Sequence, residues 1–121
     1  MSRQHPSRWS VVILNQDASR AHTDPKQPLD QTKVTRRFIV LSSQDMRPVF
    51  NCIECVSSKG HVAYPDVEIS ADGRLFTNDS LARPGMIYTL QKDDIRMILG
   101  PLTDRVVMQK ITTGIHVFIP S

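Results

Sequence analysis

The segment Pro48-Val49-Phe50-Asn51-Cys52-Ile53-Glu54-Cys55-Val56 decides the fold, because two periodicities compete in it. Val49, Cys52, Ile53 and Val56 fall at i, i+3, i+4 and i+7, the apolar stripe of a helix, with Asp45 before it and Gly60 after it where caps belong. Against this, its β-branched and aromatic residues suit a half-buried pleated surface, and the strand reading is preferred. The whole composition weighs on the same side. Val, Ile and Thr number 11, 10 and 8, whereas Ala is 5, Glu 2 and Lys 5, so strong helix formers are scarce.

Upstream, 33–41 contains Phe38-Ile39-Val40-Leu41, apolar on both alternating faces and therefore a central strand. Before it, 15–33 carries three Asp, two Pro and three Gln, a polar linker that buries little. Trp9–Leu14 (W-S-V-V-I-L) reads as a strand ahead of that linker, so 1–33 forms an extended N-terminal arm and 34–121 the core. Downstream, 61–64 and 67–70 read as one strand interrupted at Pro65. Ala71-Asp72-Gly73 reads as a hairpin turn with Arg74–Thr77 returning. Arg83-Pro84-Gly85 has the letters of a type II turn, Met86–Gln91 alternates cleanly, and Ile95–Leu99 follows the Lys92-Asp93-Asp94 turn. Arg105–Thr112 and Ile115–Ile119 read as a closing hairpin around Thr113-Gly114. The expectation is an all-β single domain, a small barrel or sandwich of about eight short strands.

Charge and motifs narrow the function. Fifteen Lys+Arg against twelve Asp+Glu give a net charge of +3, a mild basic balance. The longest aliphatic runs have four residues, far short of the ~20 that span a bilayer, and no signal peptide is visible, so a soluble cytoplasmic or otherwise intracellular protein is expected. The lone C-x-x-C, Cys52 to Cys55, would need two more ligands for zinc, and His61 and His116, which could complete it, sit at no recognised spacing. On a strand its thiols point to opposite faces, so two buried cysteines are expected, with no metal and no cofactor. Asp66, Glu68 and Ser70 alternate along one strand face and read as a solvated side rather than paired acids. No nucleophile–base motif, phosphate loop or metalloprotease motif occurs, which disfavours an enzyme.

Binding is therefore the expected activity. The leading expectation is a non-catalytic assembly or adaptor subunit acting on a protein partner or on itself as a homo-oligomer. Trp9, Val11 and Ile13 on the arm would add to an exposed sheet edge. The alternative is an OB-like binder of single-stranded nucleic acid, with Arg36, Arg37 and Arg74 on phosphates and Tyr64 and Tyr88 stacking on bases. Glu68-Ile69-Ser70-Ala71-Asp72-Gly73 resembles the D/N-x-S-x-x-G signature of PilZ domains, β-barrels that bind cyclic dinucleotides. That resemblance implies an upstream Arg-x-x-x-Arg clamp; here Arg36 and Arg37 are adjacent and Arg47 stands ten residues on.

Overall fold

Alternating burial along short apolar segments builds one antiparallel sheet, seen in a computed structural model that describes residues 6–14, 37–43, 47–58 and 65–118. Its strands are β1 (Ser10–Leu14), β2 (Arg37–Ser43), β3 (Val49–Ser57), β4 (Val67–Ile69), β5 (Ser80–Gln91) and β6 (Ile95–Pro101), in the order β4-β5-β3-β2-β1-β6. A 3-10 turn at Lys92–Asp94 links β5 to β6, and α1 (Arg105–Phe118) ends the described chain.

The deciding segment is a strand. β3 pairs with β2 on one side and β5 on the other, Ile53 lying between Ile39 and Ile87. Both faces of these central strands are apolar. One face, under α1, gathers Val11, Ile39, Ile53, Cys55, Leu75, Phe76 and Ile111. The other gathers Val12, Phe38, Val40, Phe50, Cys52 and Leu90. Val11, Ile39 and Ile53 have no exposed surface, and each such side chain contributes about 1.5–3 kcal/mol.

Several expectations are corrected. Six strands, not eight, are present among the described residues, and the sheet is open, with β4 and β6 at its edges. The C-terminal hairpin is instead the helix α1. Asp104 caps it, its Oδ1 accepting from the N–H groups of Val106 (3.0 Å) and Val107 (3.2 Å). Val107 and Ile111 are buried against the sheet, and that burial outweighs the poor helix propensity of a β-branched run. Arg74–Thr77 is a loop rather than a returning strand. Arg83-Pro84-Gly85 is no turn but a bulge inside β5: Ile53 faces Ile87 while Cys55 faces Ala82, leaving 83–86 opposite Glu54 alone. A bulge spares Pro84, which has no N–H to give a ladder. α1 lies close upon it, since a Cβ on Gly114 would stand 2.8 Å from Pro84 Cγ.

β1 sits inside the sheet between β2 and β6, so Val11 and Ile13, at 0% and 4% exposure, are interior and present no surface to a partner. The expected strand at 61–64 lies outside the described residues. No helix among the described residues is long and apolar enough to cross a membrane.

Candidate functional site

Polar chemistry on the helix-bearing face collects at the two ends of β2. At the Arg37 end, one carboxylate shapes a loop. Asp72 Oδ1 accepts from the backbone N–H groups of Arg74 (2.8 Å), Leu75 (2.8 Å) and Phe76 (3.0 Å). Gly73 takes φ +74°, which a side chain would resist, and the N–H groups of Asp72 and Gly73 both donate to Phe76 O at 3.1 Å. Buried Leu75 and Phe76 root the loop in the core. The bonds from Phe76 and Arg74 hold the Asp72 carboxyl below the usual aspartate range.

This loop places two guanidinium groups around Leu75. Arg37, half-buried at the start of β2, donates from Nε to Leu75 O at 3.0 Å. Arg74, the preceding residue of the loop, is exposed, and its Nη1 lies over Gly100 of β6, where a Cβ would stand 3.1 Å away. A main-chain carbonyl thus orients one arginine and a capped loop carries the other. Each guanidinium presents a planar fork of donors of the kind that matches phosphate oxygens.

The other end of β2 holds a small cavity of about 240 Å³ lined by Arg8, Trp9, Ser42, Asn51 and His116 among others. Trp9 is half-buried with φ +71°. Its backbone is fixed on both sides, Trp9 N–H donating to Val40 O at 2.7 Å and Leu102 N–H donating to Trp9 O at 2.8 Å.

Of the residues expected to bind, Arg37 bonds to Leu75 O and Arg74 directly precedes Leu75 in the loop. Arg36 and Tyr64 lie outside the described residues. Tyr88 packs edge-on to Phe38 with ring centroids 6.0 Å apart, as part of the second core cluster. Cys52 and Cys55 belong to opposite clusters, and burial pushes both thiols up, so neither supplies a thiolate. No group of three metal-binding side chains occurs among the described residues. Asp66 is 4.0 Å from Arg83 Nε, and Glu68 is solvated. Asp72 was legible only as a turn residue. The Asn51 and Trp9 surroundings had no sequence signal, because they assemble from the turn before β1 and from β2, β3, β5 and α1.

No family model matches this sequence, and no curated protein matches it. Solved structures do share its fold. One, an endoribonuclease from mycobacterial species, superposes with a TM-score of 0.66 at 15% identity, over 98% of this chain and 95% of that one. Another, an endoribonuclease in complex with its cognate antitoxin from mycobacterial species, gives a TM-score of 0.64 at 16% identity over 94% of each chain. These neighbours overturn the expected non-catalytic adaptor and, with it, the OB-like and PilZ-like alternatives. They equally correct the expectation that no enzyme is present, since catalysts of RNA cleavage are built on this fold.

Proposed function

We propose that this domain is an endoribonuclease whose Arg37 and Arg74 hold the scissile phosphate. The carrying observation is the pair of guanidiniums set around Leu75, on a fold shared with named endoribonucleases. RNA brings its own nucleophile in the 2′-hydroxyl, which explains how an enzyme can lack a Ser–His or Cys–His motif. The protein's task is to hold the 2′-oxygen in line with the leaving 5′-oxygen and to stabilise the charge that builds on the non-bridging oxygens. O2′ bonds to phosphorus and the P–O5′ bond breaks. The 2′-OH proton goes to solvent and O5′ takes one up, leaving a 2′,3′-cyclic phosphate and a 5′-hydroxyl. Arg37 suits the charge-stabilising role, because its Nε is already spent on Leu75 O and its plane is set. Exposed Arg74 suits phosphate capture.

The test offers the full chain one sequence as RNA and as DNA. RNA should be cut to cyclic-phosphate ends, DNA should survive, and Arg37→Ala or Arg74→Ala should lower the rate by about 10²–10³-fold. Uncut RNA, or DNA cut equally well, overturns the reading. A protein partner that covers this site is a second reading, supported by the antitoxin bound to one neighbour. Exposed Val106 and Val117 on α1 (61% and 47%) and Met97 (45%) on edge strand β6 offer it apolar contacts.

A further inference from the structure

We propose that the cavity at the Trp9 end is a pocket for one unstacked nucleobase, with adenine preferred; the inference rests on the endoribonuclease reading and adds the reading of a base to it. The volume, about 240 Å³, lies below the ~300–1,000 Å³ of pockets for drug-sized ligands and suits a fragment the size of one base. Its chemistry is that of base recognition. Trp9 offers an indole face, and exposed Arg8 rides on that face with its Cζ 5.4 Å from the ring centroid. An entering base takes over the ring, while the guanidinium turns to the adjoining phosphate.

Asn51 supplies the discrimination. Its Nδ2 donates to Ser42 Oγ at 2.9 Å and its Oδ1 accepts from Thr89 Oγ1 at 2.8 Å, a ladder across β2, β3 and β5. The ladder fixes the amide plane and uses one of its N–H groups and one lone pair. One N–H and one lone pair are left over, the set that makes a bidentate pair with adenine N7 and N6. The backbone of Trp9 points the same way. A tryptophan at φ +71° is strained by ~1–3 kcal/mol, and such strain clusters at ligand clamps. From Arg37 to Leu41 along β2 is about 13 Å at ~3.3 Å per residue, so the pocket and the phosphate clamp are close enough for one strand of RNA to reach both.

Trp9 is the chain's only tryptophan, so its fluorescence reports on the pocket without any cleavage. The probes are AMP, GMP, CMP and UMP, and a 2′-O-methyl oligoadenylate whose blocked 2′-oxygen cannot attack. AMP should change the emission saturably and bind tightest, and the oligonucleotide should bind tighter still. Asn51→Ala should weaken AMP by about 5–150-fold. Asn51→Asp keeps the shape, since Ser42 can turn its hydroxyl to donate, yet should lose the preference for AMP, because a carboxylate has no N–H for adenine N7. Arg8→Gln should lower the salt slope of oligonucleotide binding by about one. Silent fluorescence, or adenine affinity untouched by both Asn51 variants, overturns the inference. So does an emission change that follows protein concentration without nucleotide, which would give the pocket to a second copy of the chain. Arg37-dependent RNA cleavage with a silent Trp9 sinks the pocket alone; a responsive Trp9 on a chain that cuts no RNA sinks the proposed activity alone.

Discussion

The two ends of β2 solve the same problem, holding a polar group still at the margin of an apolar face, in different ways. At the Arg37 end the fixed points are main-chain atoms: the Leu75 carbonyl and the amides gathered by Asp72. At the Trp9 end they are side chains, the Ser42–Asn51–Thr89 ladder and a ring on a strained backbone. A frame of main chain survives the loss of the side chain it presents. A frame of side chains does not. Substitutions at the first end should therefore remove function and spare structure, whereas those at the second should alter both.

The largest expected effect tests the first half of that contrast. Arg37→Lys keeps the charge but loses the planar fork and the Nε bond, so it should recover little of the ~10²–10³-fold loss expected of Arg37→Ala. A thermal melt on the same sample should move little. Full activity in the lysine variant would reduce the clamp to a point charge.

Next comes the frame of the loop. Asp72→Ala should lower cleavage by up to about 10²-fold by displacing Arg74, with the fold intact. Acid should do the same reversibly. The folded pKa of Asp72 is lowered, so its contribution is complete above the ordinary value of 3.8 and is lost as pH falls through the folded value. Amide exchange at Arg74, Leu75 and Phe76 followed across that range checks it; unchanged protection in acid would show that the loop holds without its carboxylate.

The seat of α1 on the β5 bulge responds through packing. Gly114→Ala gains about 1 kcal/mol of helix propensity but drives a Cβ to 2.8 Å from Pro84 Cγ and 3.3 Å from Pro65 O. Overpacking of that kind costs typically ~1–3 kcal/mol, so a net loss is expected, read as a lower urea midpoint. The smallest effect isolates the backbone. Trp9→Gly should be more stable than Trp9→Ala by about 1 kcal/mol, because only glycine is at ease at positive φ. Equal midpoints would remove strain from the account of that end.

Much of the sheet was legible because apolar alternation is a local signal. Val49–Ser57 resolved in favour of a strand once β-branched content was weighed, and Phe38–Leu41 announced its central place by being apolar on both faces. The helix was misread for a physical reason. Val106, Val107, Ile111, Thr112, Thr113, Ile115 and Val117 are all β-branched, and propensity pointed to strands until docking on β4 and β5 overruled it. Asp104 as a cap, with Val107, Ile111 and Ile115 each four apart, was the signal that outranked composition. At the site, Arg37 and Arg74 could be named as phosphate ligands, but the bond from Arg37 to Leu75, the residue after Arg74, spans 38 positions and no motif records it. The fold shared with endoribonucleases left no motif to find, because RNA carries its own nucleophile in the 2′-hydroxyl.

The strand order has one more consequence. The first strand is held between the second and the sixth, Ser10 opposite Pro101, so the sheet cannot be completed until residue 101 has left the ribosome. Pairings so distant in sequence form late and slowly. Gly100, the floor beneath Arg74, arrives with that final strand. In a nascent chain the Arg74 loop therefore stands without that floor until β6 is in place.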